Sequence, residues 1–105
     1  MHMSPEIELL VFDGCPNEEA ARALVERVAA ELSLAPRLSR VVVPDADAAE
    51  RMRFLGSPTI RVNGHDIEPG ADGRNNYALA CRVYRTGAGV SAQPDEDWLR
   101  QALSR

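Results

Sequence analysis

Hydrophobic and polar positions in the first part of the chain predict a strand, a helix and a second strand. Residues 7–12 form a short, mostly apolar run, which is typical of a buried strand. Residues 38–43 form a second such run and also predict a buried strand. Between them, apolar residues recur at three- and four-residue steps on one face of a helix: Ala21, Leu24, Val25, Val28 and Leu32. Because a connection of this length joins parallel strands, a right-handed βαβ unit is expected.

The next segment predicts a second helix and a hairpin. Asp45 is suited to cap a helix with a narrow apolar face, and Gly56 is its expected stop. Asn63-Gly64 is the strongest short-range hairpin signal, because both residues tolerate positive φ. It predicts antiparallel pairing of residues 59–62 with residues 65–68.

Residues 69–93 do not continue this regular pattern and are interpreted as an insertion. Residues 69–76 are rich in turn formers, whereas residues 77–85 suit a strand or a helix equally well. Leu79, Cys81 and Val83 alternate as in a strand, whereas Tyr77, Ala80, Cys81 and Tyr84 suit a helix. A final helix is expected from about residue 94 to residue 103, with its apolar face directed inward: Trp98, Leu99, Ala102 and Leu103.

Length and composition restrict the class of protein. A chain of 105 residues is expected to form one domain, residues 1–105, and its net charge of -4 argues against a nucleic-acid surface. All 12 positive residues are arginine, which excludes chemistry on lysine. No apolar run approaches the roughly 20 residues of a membrane span, and residues 1–6 lack the features of a signal peptide. A cytoplasmic location without membrane contact is therefore expected.

Cys15, which precedes Pro16, is the leading candidate for chemistry. Because proline is favoured in the first turn of a helix, Cys15 is expected at or beside the N-cap. Unpaired backbone N–H groups and the helix dipole would then favour the thiolate, which is the reactive form. Asp13, Glu18 and Glu19 oppose this effect, so a mildly activated thiol is expected. A buried, unreactive cysteine is the alternative.

The order of elements and two motifs resemble the thioredoxin-like fold. Gly14-Cys15-Pro16 looks like that fold's nucleophile position, and Ser57-Pro58-Thr59 looks like its cis-proline motif before the third strand. The resemblance covers residues 6–68 and 94–104. It implies a three-layer α/β/α architecture in which a βαβ crossover and a ββα unit share a central mixed sheet, with the insertion before the C-terminal helix.

The same resemblance implies roles for the motif residues. A cis Ser57–Pro58 bond beside Cys15 would turn a backbone amide toward a substrate, with Pro16, Ser57, Pro58 and Thr59 as substrate-binding residues. Glu18 stands where dithiol members carry a second cysteine, so the first motif is at most a monothiol centre. Small bacterial proteins with similar segments are sometimes labelled alkylmercury lyase.

Cys81 is the second candidate and is consistent with either a redox role or packing in the core. Because the hairpin returns the chain to the Cys15 end of the sheet, Cys81 is expected near Cys15. No spacing of histidine, cysteine and aspartate resembles a zinc site, and neither a metal nor another cofactor is expected. Arg22, Arg53 and Arg74 are candidates to hold an anionic substrate, although solvated surface arginine is the simpler interpretation.

These features predict a thiol–disulfide oxidoreductase or a redox-responsive protein. Cys15 would attack a protein or glutathione-like disulfide, and either Cys81 or an external thiol would resolve the mixed disulfide. The alternative is a non-catalytic thioredoxin-like module that binds a partner protein, a soft metal or an organomercurial in the same groove. The glutamate at position 18 favours this alternative.

Overall fold

Four strands form one mixed sheet, and its two central strands pair antiparallel. In the computed structural model, which describes residues 4–104, β1 (Glu6–Val11) is parallel to β2 (Arg37–Val42) and antiparallel to β3 (Thr59–Val62). β4 (His65–Asp66) pairs antiparallel with β3 and completes the order β2-β1-β3-β4. The expected parallel βαβ unit followed by a hairpin is confirmed, and the chain has an α/β fold.

Three helices accompany this sheet. Their bounds are α1 (Glu18–Glu31), α2 (Ala46–Arg51) and α3 (Glu96–Leu103). Among residues 4–104, no helix has the length and apolar character needed to cross a membrane. Residues 1–3, which belong to the segment for which no signal peptide is expected, lie outside the described residues, as does residue 105.

The core lies on both faces of the sheet. Alternate residues of a strand point to opposite faces, and this divides the buried side chains along β1 into two clusters. Leu9 packs in the cluster that contains the inward faces of α1 and α3, including Leu99. Leu10 packs on the other face with the buried alanines of α2 and with Phe54, a core residue that no sequence pattern singled out. Helices therefore cover the sheet from two sides.

Two element ends differ from expectation for identifiable reasons. The Asp45 carboxylate accepts the Ala48 N–H at 2.8 Å, which confirms the predicted cap of α2. The predicted stop at Gly56 is wrong, because α2 ends at Arg51 and Arg53 takes the left-handed conformation, with φ of 53°. β2, which was expected to be buried, is mostly exposed because it lies at the edge of the sheet.

The Asn63-Gly64 hairpin is confirmed but is shorter than expected. Both turn residues have positive φ, and Val62 lies opposite His65. The returning strand ends at Asp66 and does not reach residue 68. Glu68 and the chain beyond it are therefore free of the ladder.

The insertion contains a second, separate hairpin that the sequence pattern did not predict. A 3₁₀ turn spans Ala71–Gly73, and β5 (Tyr84–Thr86) pairs antiparallel with β6 (Gly89–Ser91). Most of residues 77–83 belong to neither a helix nor a regular strand. Of the two possibilities left open for residues 77–85, the structure forms a regular strand only from Tyr84 onward, and none of these residues is helical.

Removing the buried side chain of Leu99 should test the packing of α3. Leu99 is fully buried, so Leu99→Ala is expected to lower the free energy of unfolding by about 2–5 kcal/mol. Val90→Ala is the control, because Val90 is 70 % exposed and its loss should change stability by less than about 0.5 kcal/mol. Urea unfolding followed by circular dichroism measures both. Equal losses in the two variants would contradict the packing described here.

Candidate functional site

Cys15 lies in the turn that joins β1 to α1. Its backbone N–H donates to the Phe12 carbonyl oxygen at 3.2 Å, and its own carbonyl oxygen accepts the Glu18 N–H at 3.4 Å. The N-cap of α1 is Asn17, so the expected placement of Cys15 at or beside the N-cap is wrong by two residues, and Pro16 precedes the helix. The first helical amide is thus engaged by the Cys15 carbonyl group.

The Cys15 side chain is almost enclosed. It is 8 % exposed and belongs to the same core cluster as Val11 and Ala21. Its thiol is free. A bulky reagent therefore has little access to the Cys15 sulfur unless part of the surrounding chain moves.

An arginine that no motif identified neutralises the acids near Cys15. The Arg40 guanidinium donates to both carboxylate oxygens of Glu18 and lies 3.9 Å from an Asp13 oxygen. The hydrogen bond from Arg40 lowers the pKa of Glu18, although partial burial opposes this shift. The repulsion that Asp13 and Glu18 were expected to exert on a Cys15 thiolate is reduced accordingly.

The Ser57–Pro58 bond is cis, which confirms the expectation for this motif. Ser57, Pro58 and Thr59 are all buried. The Tyr84 hydroxyl donates to the Pro58 carbonyl oxygen, and the Thr59 hydroxyl donates to the Gly56 carbonyl oxygen at 2.6 Å. A direct contact between Pro58 and Cys15 stays a prediction.

Residues 80–82 pair with Ser57 along its backbone. The Ser57 N–H donates to the Ala80 carbonyl oxygen at 2.8 Å, and the Arg82 N–H donates to the Ser57 carbonyl oxygen at 2.9 Å. These two bonds form an isolated parallel bridge between Ser57 and Cys81. Cys81 is exposed and its thiol is free, so the alternative in which it packs in the core is wrong.

Cys81 and the residues that lead to Cys15 share one cleft. This cleft has a volume of about 380 Å³ and is lined by Phe12, Asp13, Val43, Pro44, Leu79, Ala80 and Cys81. Phe12 and Asp13 follow β1 directly, and Val43 follows β2. The insertion thus brings Cys81 to the edge of the sheet from which the Cys15 turn emerges. Pairing of the two sulfur atoms stays a prediction.

Arg82 is a buried cation that no motif identified. Its guanidinium, 1 % exposed, donates to Thr59 Oγ1 at 2.8 Å, to the Asp66 oxygens at 2.7 and 3.2 Å, and to Glu68 Oε1 at 2.6 Å. It also lies 4.5 Å from the centre of the Tyr84 ring. Burial by itself lowers the pKa of Arg82, but hydrogen bonds to the two carboxylates outweigh it and raise that pKa. We call these residues (Thr59, Asp66, Glu68, Arg82 and Tyr84) the Arg82 cage.

The alternation in residues 81–84 was the signal that could have found Arg82. The period of two is correct in these residues, but its phase differs by one residue from the one read from apolar positions. Arg82 and Tyr84 point inward, whereas Val83 is 60 % exposed. A shift of one residue in an extended segment exchanges its two faces. The buried ion pairs, and not apolar character, decide which face is inside.

The three arginines considered as candidates to hold an anionic substrate each contact another residue of the chain. Arg22 lies 3.9 Å from Glu18, and Arg74 pairs with Glu68 at 2.9 Å. Arg53 follows the end of α2, and its carbonyl oxygen accepts from Arg61 at 3.1 Å. Within residues 4–104, no group of three or more histidine, cysteine, aspartate or glutamate side chains is arranged to hold a metal ion.

Residues 4–104 form an α/β fold with a mixed four-stranded sheet, three helices and an additional hairpin, and Cys81 lines a cleft at one end of the sheet. Comparisons with protein-family models, with curated proteins and with solved structures found no match for this chain. The function is therefore inferred from the residues of the site itself.

Gly56 is required by the close approach of residues 80–82. It has a φ of +128°, and a Cβ atom there would lie 2.9 Å from Arg82 Cβ and 3.2 Å from the Ala80 carbonyl oxygen. Gly56→Ala is therefore expected to lower the free energy of unfolding by at least about 1–3 kcal/mol, as measured by urea unfolding.

Gly73→Ala is the matched control for this substitution. Gly73 has no positive φ, and a Cβ atom there would meet nothing within 4 Å. Its replacement should leave stability unchanged or raise it by up to about 1 kcal/mol. A Gly56→Ala variant as stable as Gly73→Ala would contradict the described contact.

Tyr84 should make the protein less stable in alkali. Burial raises the pKa of Tyr84, and the Arg82 charge offsets this only in part. In the unfolded chain a tyrosine ionises near pH 10, so above about pH 10 the unfolded state binds fewer protons than the folded state. Stability should therefore fall as the pH rises from 9 to 11.5, and Tyr84→Phe should reduce this fall. An identical slope in the variant and the wild type, measured by urea unfolding at each pH, would contradict a buried, neutral phenol.

Proposed function

We propose that the protein carries out thiol–disulfide exchange with Cys15 and Cys81 as its reacting pair. The proposal is based on the backbone bridge between Ser57 and Cys81. This bridge holds Cys81 at the cleft that is also lined by Phe12 and Asp13, which lead to Cys15. Cys81 is not part of the Gly14-Cys15-Pro16 motif. Glu18 stands at the position where dithiol members of the thioredoxin-like fold carry their second cysteine. The insertion supplies a second thiol at the same edge of the sheet.

The finer assignment of the fold belongs to the same proposal. A strand order of β2-β1-β3-β4, helices on both faces and a cis Ser57–Pro58 bond immediately before β3 support a thioredoxin-like three-layer α/β/α architecture. In that architecture, the residue before the cis proline pairs with the substrate chain. Here the backbone groups of Ser57 are used by residues 80–82 of the same chain. Cys81 thus occupies the position that the resemblance gives to a substrate cysteine.

The proposed reaction consumes one external disulfide, either of a protein or of a small thiol such as glutathione. The Cys15 thiolate attacks one sulfur atom, the external S–S bond breaks, and the first thiolate leaves and takes up a proton. The Cys81 thiolate then attacks Cys15 in the mixed disulfide and releases the second thiol. The protein is oxidised by two electrons to a Cys15–Cys81 disulfide, and the external disulfide is reduced to two thiols. Where an external thiol acts in place of Cys81, Cys15 returns to its reduced form.

The substrate-binding residues fall into two groups in this proposal. Pro16 is exposed beside Cys15 and remains available to an external substrate. Ser57, Pro58 and Thr59 are buried behind residues 80–82, so in the described conformation they support Cys81. An external chain would reach them only after that segment moves.

A non-catalytic binding module is the second candidate function. The near-complete enclosure of Cys15 favours it, because a nucleophile for a bulky disulfide needs access. The exposed Cys81 thiolate would hold a soft metal ion or an organomercurial at this cleft, and Cys15 would join it only after the surrounding chain moves. The same cleft would bind a partner protein. This candidate requires no disulfide between the cysteines.

Oxidation of the monomer separates the two candidate functions. The reduced protein is incubated with oxidised glutathione and its intact mass is measured. Exchange predicts a monomer lighter by two hydrogen atoms, because a Cys15–Cys81 disulfide has formed. In Cys15→Ser and Cys81→Ser this loss must disappear. A wild-type protein that keeps both thiols free would contradict the exchange proposal and leave the binding module. Direct pairing also requires α-carbons within about 7 Å.

A further inference from the structure

Resting on the proposed function, we propose that Arg82 is the positioning residue for Cys81. Its buried guanidinium fixes residues 80–82 along Ser57 and so holds the Cys81 thiol at the cleft shared with the Cys15 turn. Arg82 acts through the chain and does not touch the reacting sulfur atoms in this assignment.

The acceptors for the Arg82 guanidinium are anchored on the sheet and its hairpin. Thr59 begins β3, Asp66 ends β4, and Glu68 follows two residues later. The Glu68 N–H donates to the Asp66 carboxylate at 3.0 Å, which holds the two acids together. The planar guanidinium meets both oxygens of Asp66, a geometry that a lysine ammonium does not reproduce. The cage therefore fixes the direction of the Arg82 side chain as well as its charge.

The backbone transmits this placement to Cys81. Hydrogen bonds from Ser57 to Ala80 and from Arg82 to Ser57 hold the chain on both sides of Cys81. Gly56 allows the closest approach at Arg82. Because neighbouring residues of an extended segment point to opposite sides, an inward Arg82 leaves Cys81 pointing outward. This agrees with the exposure of Cys81.

The ion pairs also select the register of the segment. A shift of one residue would direct Cys81 inward and remove the Arg82 cation from Asp66 and Glu68. Glu68 would keep Arg74, but the Asp66 carboxylate, whose side chain is only 9 % exposed, would lose its cation. Such a loss is strongly unfavourable, whereas a well-packed apolar side chain can replace a complete buried ion pair with little loss of stability. Fixing the register is therefore a role that an apolar residue at position 82 would not fulfil.

The test compares effective concentrations of the Cys15–Cys81 thiol pair. Each variant is equilibrated in glutathione buffers, and the fraction of internal disulfide gives the effective concentration of one thiol toward the other. Arg82→Met should lower this value by at least about tenfold, because the segment that carries Cys81 is no longer held in one place. Asp66→Asn should also lower the effective concentration, and it replaces Arg82→Met in the test if that variant does not fold. Alkylation of Cys81 by a small reagent, measured in a Cys15→Ser background, should stay within about twofold of its reference rate because the thiol is already exposed.

Leu103→Ala is the control for a loss of general stability. Leu103 lies on α3 in the core cluster of the other sheet face and has no part in the Arg82 cage. Its replacement should lower stability and leave the effective concentration unchanged under conditions in which all variants are folded. An equal fall in Leu103→Ala, or no fall in Arg82→Met and Asp66→Asn, would overturn the positioning role. A wild-type protein that forms no internal disulfide would instead overturn the proposed function itself.

Discussion

The Arg82 cage joins the insertion to the end of the hairpin by ion pairs, and to the Ser57-Pro58 motif by a hydrogen bond. The cation comes from the insertion, its acidic partners come from the end of the Asn63-Gly64 hairpin, and Tyr84 reaches from the cage to the Pro58 carbonyl oxygen. A guanidinium taken out of water is tolerated only when its charge and its donors are satisfied. Here four side-chain hydrogen bonds and an aromatic face supply that compensation, while the Arg82 Nε atom has no protein acceptor.

The two cysteines lie in different environments. Cys15 is enclosed in the core beside α1, where Arg40 compensates the neighbouring acids. Cys81 is held outward on a segment whose adjoining residue is locked in place. One sulfur atom is thus enclosed and the other is accessible. In the proposed exchange, the 80–82 segment is at once the carrier of the second thiol and the part of the chain that covers Ser57.

Local patterns predicted the elements well, because their signals are contained in a few neighbouring residues. The apolar run of β1, the Asp45 cap, the Asn63-Gly64 turn and the cis bond of the Ser57-Pro58 motif each have such a signal. The placement of Cys15 failed by two residues because Pro16 is equally compatible with the turn before a helix. The β5–β6 hairpin was missed because its strands are only three residues each, too short for periodicity to show.

The candidate site was less predictable, because its geometry depends on contacts between distant residues. Nothing near Arg82 in the sequence indicates that Asp66 and Glu68 will pair with it. The inward face of residues 81–84 was therefore read from apolar positions, and that reading was wrong. The bridge between Ser57 and Cys81 likewise joins residues 24 positions apart. Native-state hydrogen exchange tests its stability most directly, through the amides of Ser57 and Arg82. If the Arg82 cage holds the segment, both amides should exchange as slowly as those in the centre of β1 and β3. Exchange at the rate of an unprotected loop, while β1 and β3 stay protected, would contradict the account.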